Sequence, residues 1–147
     1  MAQSYGVNYL AGPHVDRAYA LIAALAPDVE VEEWRRFCAA TLKSDERADG
    51  NHVIVAIDPV GYLKGICVFA ARSDISQKRY LDVPLFAPLS AVDAGGVATA
   101  LLGFLRQAAG AMGCGAIRFR TLEPDDWSAY LAGDITTGNP AGPTILL

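Results

Sequence analysis

Two adjacent glycines, Gly95 and Gly96, carry the clearest chemical signal in the sequence, because they lie between an extended segment and a helical one. The first N–H groups of a helix have no partner inside the helix, and the helix dipole makes that end positive. Glycines at this position let a phosphate group come close to the N–H groups without any basic side chain. Taken alone, the glycines favour a tight strand-to-helix turn, since glycine is a common turn residue.

The elements that position these glycines form a strand–loop–helix–strand unit. Residues 80–87 form the extended segment before the loop, and residues 116–121 alternate like a strand after the helix. Between them, apolar residues recur at helical spacing up to a helix end at Gly113 and Gly115. The residues of this apolar stripe are Val97, Leu101, Leu102, Leu105 and Ala108.

The chain before this unit is predicted to hold one strand, two helices and a hairpin. Residues 5–10 alternate as a strand does, and the helix that follows ends at Pro27, whose ring excludes helical continuation. The second helix runs from about Val31 to Leu42. The two strands of the hairpin and the turn between them span residues 52–57, 62–72 and 58–61.

Length and composition are typical of one compact domain that spans residues 1–147. Hydrophobic residues make up 52% of the chain and charged residues 19%, which excludes a disordered chain. The net charge of −4 excludes a basic face of the kind that binds nucleic acid. No apolar run is long enough to cross a bilayer, so we expect no membrane partner either.

The N-terminal residues and the cysteines favour a cytoplasmic protein. The first residues lack the basic start and the apolar block of a secretory signal. Cys38, Cys67 and Cys114 lie in apolar segments, and no two of them have the spacing of a metal site. We therefore expect reduced cysteines in the core, as in cytosolic proteins, and no metal.

The order of residues around the glycine pair resembles the acetyl-CoA loop of the GNAT N-acetyltransferase superfamily. The order of predicted elements, from Tyr5 to Thr121, also matches the core of that family. The resemblance implies an α/β (α+β) fold with a mixed, mostly antiparallel central sheet flanked by helices and with shortened C-terminal strands. The short motifs that carry it are Leu85-Phe86-Ala87 with Pro88, Gly96-Val97-Ala98, Leu101-Leu102 and Gly113-Cys114-Gly115.

The resemblance implies transfer of an acetyl group from acetyl-CoA to a small-molecule or peptide amine. The backbone at Leu85, Phe86 and Ala87 would polarise the thioester, while Pro84 has no N–H to contribute. Backbone N–H groups at the start of the helix would hold the pyrophosphate. The residues of this cradle are Ala94, Gly95, Gly96, Val97 and Ala98.

One position departs from the family pattern, because Asp93 stands where the family commonly has Arg or Gln. An anion beside a pyrophosphate is unfavourable by Coulomb repulsion. The sequence therefore leaves open a second interpretation, a non-catalytic GNAT-like domain that binds CoA or another small ligand weakly or acts through dimerisation. Dinucleotide binding of the Rossmann type is disfavoured, because the loop lacks the Gly-x-Gly-x-x-Gly spacing.

Two residues are candidates for proton transfer. Tyr130 lies in a short predicted helix at residues 123–133, where the family often has a general acid, although an ordinary packed tyrosine fits equally well. Asp82 is the candidate general base, with a surface or capping acid as its alternative. His14 and His52 are more often structural or exposed residues than catalytic ones in such positions.

The C-terminal part is expected to be short for the family. Residues 139–143 are predicted to form a rigid loop, and residues 144–147 one closing strand. The family normally ends with two further strands. We therefore expect part of the acceptor wall to be missing or to come from a second subunit of a homodimer.

Overall fold

The computed structural model describes residues 4–43, 50–120 and 141–147. Within them, three helices and six strands follow one another along the chain, and a short 3-10 turn precedes the first helix. The elements are β1 (Gly6–Tyr9), α1 (Val15–Leu25), α2 (Val31–Lys43), β2 (Asn51–Ile57), β3 (Leu63–Ser73), β4 (Arg79–Pro88), α3 (Ala94–Ala111), β5 (Ala116–Arg120) and β6 (Ala141–Leu146).

The six strands form one sheet in chain order, from β1 at one side to β6 at the other. All neighbouring strands are antiparallel except β4 and β5, which are parallel. Parallel neighbours need a crossover connection, and α3 lies on the path between them. The predicted α/β class with a mostly antiparallel sheet is therefore confirmed.

Two apolar layers hold the helices on opposite faces of the sheet. Helices α1 and α2 pack with residues such as Val53, Ile66 and Leu85 on one face, and α3 packs with residues such as Ile54 and Cys67 on the other. We call these the α1/α2 face and the α3 face. The alternation of residues along β2 and β3 follows from the two-residue period of a strand.

Trp34 links α1 to α2 within the first layer. Its side chain is fully buried, and its indole N–H donates to the carbonyl oxygen of Val15 at 2.8 Å. Its ring stacks on Phe37 with centroids 6.0 Å apart. These contacts agree with the structural role expected of a large aromatic residue in the core.

The start of α3 is seated directly on the sheet through Gly65. A Cβ atom at this position would lie 2.6 Å from Val97 Cγ1 and 3.2 Å from Leu101 Cδ1, so only glycine allows the approach. The N-terminus of α3 is thereby held beside the end of β4, where the glycine pair follows.

Two boundary predictions are wrong. Gly95 and Gly96 lie inside the first turn of α3, not in a loop ahead of it, because Asp93 caps the helix. Ala141–Pro143 belong to β6 rather than to a rigid loop. Pro143 falls where the β5–β6 register is irregular, between Arg118 and Arg120, and bulges are among the places where sheets tolerate proline.

The predicted helix at 123–133 lies outside the described residues, as do residues 139 and 140 of the predicted loop. None of the helices in the described ranges combines the length and the apolar character that crossing a bilayer requires.

Candidate functional site

A β-bulge interrupts β4 at residues 83 and 84. Val68 of β3 faces Leu85, and Ala70 faces Asp82, so β4 carries one more residue than β3 across this interval. A bulge of this kind bends the strand and changes which face later side chains occupy.

The bulge divides β4 between the two apolar layers. Leu81 and Val83 pack on the α3 face, whereas Leu85 and Ala87 pack on the α1/α2 face, although these four residues occupy alternate positions of the strand. A regular strand would place them all on one side. The change of face at this point shows that the bulge reorients the second half of β4.

Strands β4 and β5 separate directly after the bulge. They pair only over Leu81–Val83 and Ile117–Phe119, and the remainder of β4, residues 84–88, has no partner in β5. Among the described residues, the backbone of this half-strand therefore has no strand beside it on the side away from β3, and we call this position the gap. On the α3 face, the rings of Phe86 and Phe119 meet edge to face across it, with centroids 5.3 Å apart.

Phe86 supplies the backbone donor on this side of β4. The N–H of Leu89 donates to the carbonyl oxygen of Lys64 on β3 at 2.8 Å, and successive N–H groups of a strand point in opposite directions. The N–H groups of Leu85 and Ala87 therefore point towards β3, and that of Phe86 points into the gap. Proline at 84 and at 88 removes the neighbouring donors. Of the three predicted polarising residues, one has its donor directed into the cleft.

The predicted phosphate cradle lies at the N-terminus of α3. The N–H of Val97 donates to the carbonyl oxygen of Asp93 at 3.2 Å, and that of Gly96 to the Asp93 side chain at 3.1 Å. Ala98 lies in the next position, where the regular ladder of the helix uses its N–H. Within the residues the structure describes, the N–H groups of Ala94 and Gly95 have no protein acceptor, and these two remain for a ligand.

The carboxylate of Asp93 occupies the positive end of the helix. It accepts from Gly96 N–H and from the Tyr5 hydroxyl at 3.0 Å, and Ser90 Oγ accepts from the Asp93 N–H at 3.0 Å. A Cβ atom on Gly96 would overlap the carboxylate, so the glycine makes room for this cap. The pKa of Tyr5 is raised by burial and by the hydrogen bond to Asp93. The protein thus places its own anion where the family pattern expects a phosphate.

Asp82, the predicted general base, lies on the α1/α2 face just before the bulge and is only 5% exposed. Arg120 Nε and Nη2 donate to its two oxygens at 2.8 and 2.6 Å, and Arg72 Nε donates to Oδ2 at 3.3 Å. The alternative of a surface acid is therefore wrong. Both of its oxygens accept hydrogen bonds from guanidinium groups. Its role as a base stays a prediction.

Tyr130, the predicted general acid, lies outside the described residues and stays a prediction. His52 is buried at the start of β2 between the rings of Tyr9 and Phe69, which is a packing environment. Within the described ranges, no group of three or more potential metal ligands comes together.

The three cysteines are free thiols buried in the core, as predicted. Burial raises the pKa of Cys38 to about 12 and raises the pKa of Cys67 as well. Burial also raises the pKa of Cys114, and the nearby Arg79 opposes this shift only in part. A protonated thiol is a poor nucleophile, so the structure gives none of them a catalytic environment.

Sequence reasoning missed Arg72, Arg120 and Tyr5. The alternation of residues 116–121 contained the signal for Arg120, because it places Arg118 and Arg120 on the same face of β5. The position of Asp93 just before a helix also indicated an N-cap. The contacts of Arg72 and Tyr5 join residues distant in the sequence and gave no local signal.

No family model matches the sequence, and no curated protein matches it. Solved structures do share its architecture. A probable acetyltransferase is 18% identical with a TM-score of 0.66, over 92% of this chain and 91% of that one. A ribosomal-protein-alanine N-acetyltransferase from Brucella melitensis biovar Abortus 2308 is 14% identical with a TM-score of 0.64, over 98% and 99%.

A third similar structure is a fungal multi-domain GH3 β-N-acetylglucosaminidase that contains a GCN5-related glucosamine N-acetyltransferase region. It is 12% identical, with a TM-score of 0.63 over 92% of this chain, and the match spans only 17% of that protein. Together with the bulged β4 and its separation from β5, these similarities show that the chain has the fold of the GNAT acetyltransferases.

Proposed function

We propose that this protein is an N-acetyltransferase that uses acetyl-CoA as its cosubstrate and a small-molecule or peptide amine as its acceptor. The observation that carries the proposal is the separation of β4 from β5 after the bulge, which opens a gap beside the Phe86 N–H. A free backbone donor beside a cleft is the arrangement that polarises a carbonyl oxygen.

The described residues divide the work between two ends of this gap. The Phe86 N–H would donate to the thioester oxygen, and the open N–H groups of Ala94 and Gly95 would bind the pyrophosphate. The cosubstrate supplies an acetyl group: a C–N bond to the amine forms as the C–S bond breaks, the amine loses one proton, and the sulfur gains one. Tyr130 is the proposed donor of a proton to the sulfur, and Asp82 is the proposed acceptor of the amine's proton, reached through water because it lies several strand positions from Phe86.

Asp93 makes the proposed binding weak. A pyrophosphate at the start of α3 would lie beside the Asp93 carboxylate and would compete with it for the Gly96 N–H. Full use of the cradle requires the carboxylate to leave its cap and the Tyr5 hydroxyl to lose its acceptor. We therefore expect acetyl-CoA to bind less tightly than it would to an uncapped helix.

Thermal unfolding with millimolar acetyl-CoA tests the proposal, because a ligand that binds only the native state raises the melting temperature. Thiol release in the presence of a panel of amines then tests turnover. A rise in melting temperature together with amine-dependent thiol release is the expected result. If millimolar acetyl-CoA leaves the melting temperature unchanged, the acetyltransferase proposal fails.

A second candidate function is a non-catalytic GNAT-like domain, and the Asp93 cap is the observation that favours it. Such a domain would bind a small ligand weakly or act through a homodimer. Asp93→Asn separates the two candidates: an enzyme limited by weak binding gains thiol release at low acetyl-CoA concentration, whereas a non-catalytic domain gains binding without turnover. For either function we propose a cytoplasmic location, because the three cysteines are free thiols.

A further inference from the structure

A pair of arginines shares the carboxylate of Asp82, just before the bulge in β4. Arg72 and Arg120 both donate to Asp82, so two positive groups share one carboxylate. Arg120 binds both carboxylate oxygens, whereas Arg72 makes one longer contact through Nε at 3.3 Å. Among the described residues, the terminal nitrogens of Arg72 have no acceptor. Within the part of the chain that the structure describes, the cluster therefore carries one positive charge that no carboxylate neutralises.

The cluster is accessible, although Asp82 itself is buried. The side chain of Arg72 is 29% exposed and that of Arg120 is 16% exposed. Both lie on the α1/α2 face, where α1 packs on β3 and α2 packs on β2, rather than on the α3 face. Arg120 follows Phe119, the last residue of β5 that pairs with β4, whereas Arg72 faces Tyr80, on the side of Asp82 away from the bulge.

The neighbouring arginine on β5, Arg118, already has partners of its own. Arg118 lies beside Asp82 in the β4–β5 register, but its guanidinium is 3.7 Å from Asp74 and stacks on the ring of Tyr80 at 4.1 Å. The surplus positive charge therefore belongs to the pair formed by Arg72 and Arg120. A guanidinium that is partly removed from water and has free terminal nitrogens is suited to a carboxylate or a phosphate, which it can bind through two hydrogen bonds.

From this juxtaposition we infer that the acceptor is an amine carrying an anionic group, which Arg72 binds with the support of Arg120. The inference rests on the proposed acetyl transfer and names its class of acceptor. Asp82 would then lie beside the positively charged amine or its path to the cleft, and Arg72 beside the anion. A carboxylate and a phosphate offer the same chemistry to a guanidinium, so both sources are included.

The backbone geometry limits where the anion lies on the acceptor. Asp82 faces Ala70 of β3, and Phe86 faces Cys67, three positions away on the same strand. The backbones of Asp82 and Phe86 are therefore about 10 Å apart along the strand direction. The amine must reach the Phe86 end of the cleft while the anion remains near Arg72. The acceptor therefore has several bonds between nitrogen and anion, and an α-amino acid is too short.

Matched amines test this inference by calorimetry on the full chain without acetyl-CoA. One pair is 6-aminohexanoate and its neutral amide, 6-aminohexanamide, and the other is 6-aminohexyl phosphate and 6-aminohexanol. The members of a pair have the same spacing, and only one of them carries an anion. We expect the anionic member of at least one pair to bind at least about tenfold more tightly, and the pair that responds identifies carboxylate or phosphate.

Arg72→Gln is the informative variant, because Asp82 keeps both hydrogen bonds from Arg120 and the fold retains its ion pair. It is expected to abolish the preference for the anionic amine. Arg106→Gln is the matched control, since it removes the same charge from an exposed position on α3, on the opposite face of the sheet. This control is expected to keep the preference.

The outcomes separate the inference from the proposed function. Equal binding of both members of each pair, including no binding of either, overturns the inference, as does a preference that survives Arg72→Gln. Acetylation of neutral amines as fast as anionic ones overturns it while the acetyltransferase proposal stands. Arg72-dependent binding of anionic amines without thiol release from acetyl-CoA supports the anion site and contradicts the acetyltransferase proposal.

Discussion

The N-terminus of α3 and the arginine pair around Asp82 are two positive positions on opposite faces of the sheet, and their charges are balanced differently. At α3, the Asp93 carboxylate caps the helix and takes the Gly96 N–H. At β4, one carboxylate is shared by Arg72 and Arg120, which leaves one positive charge without a carboxylate among the described residues. A ligand anion must therefore compete with the protein at the first position, whereas it can add to the protein at the second.

This difference bears on which substrate the protein binds well. Weak binding of acetyl-CoA and favourable binding of an anionic acceptor are expected together, because each follows from the local balance of charge. Substitutions at Arg120, Gly65, Asp93 and Asp58 probe the two positions and the structure around them, with expected effects that decrease in this order.

The largest effect is expected for Arg120→Met. This variant leaves the buried Asp82 carboxylate with only the longer contact to Arg72, and breaking a buried ion pair from one side costs about 3–5 kcal/mol of unfolding free energy. Arg72→Met is the matched control and is expected to cost less than about 1 kcal/mol, since Arg120 keeps both of its hydrogen bonds. Equal losses in urea unfolding would show that the two arginines are equivalent and would remove the asymmetry of the cluster.

A smaller effect is expected for Gly65→Ala, which tests how firmly the sheet positions the N-terminus of α3. The added methyl group would displace Val97, and overpacking of this kind costs about 1–3 kcal/mol. Gly103→Ala is the control, because Gly103 has open space around it in the middle of α3 and alanine favours a helix by up to about 1 kcal/mol. Loss of stability in both variants, measured in urea, would contradict the close approach at Gly65.

Asp93→Asn is expected to tighten acetyl-CoA binding about tenfold, because it removes the negative charge beside the cradle. Asparagine caps helices about as well as aspartate, so stability should change little. Asp93→Arg should tighten binding further. Calorimetric titration measures both.

Asp16→Asn is the control for Asp93→Asn. It removes the same charge from Asp16 on α1, which forms an exposed ion pair with Arg35 on α2. If Asp93→Asn and Asp16→Asn alter acetyl-CoA affinity equally, the effect is a general one of net charge and the comparison between the two positions loses its basis.

The smallest effect is expected at Asp58, a carboxylate held by backbone N–H groups that lies in neither position. The N–H groups of Tyr62, Gly61 and Val60 lower the pKa of Asp58. A carboxylate with a lowered folded-state pKa stabilises the protein above its unfolded pKa, and the contribution is lost as the pH falls through the folded value. Asp58→Asn should therefore reduce the slope of unfolding free energy with pH below about pH 4. An unchanged slope would show that these hydrogen bonds do not persist in solution.

Much of the fold follows from local patterns in the sequence. The apolar spacing from Val97 to Ala108 predicts α3, and Pro27 marks the end of α1, because helical period and proline geometry act locally. The predicted start of α3 is too late, because the structure uses Asp93 as the cap of the helix and places both glycines in its first turn. The charge of a side chain is visible in the sequence, whereas the groups that it contacts are not.

The candidate site could be predicted only in part. The glycine pair and the strand before it predict where a ligand would bind; the structure describes both as the consecutive elements β4 and α3, and ligand binding there stays a prediction. The arginine pair could not be predicted, since Arg72, Asp82 and Arg120 come from three strands and meet only when those strands are paired in this register.

By itself, the sequence determined that residues 80–87 form a strand and that a helix follows them, because alternation and helical spacing are properties of consecutive residues. Only the tertiary structure decided which way that strand faces. Leu81 and Leu85 would share one face of a regular strand, but the bulge opposite β3 moves them to different layers. The same bulge begins the gap beside Phe86, since pairing between strands, and not the order of residues, determines where two neighbours separate.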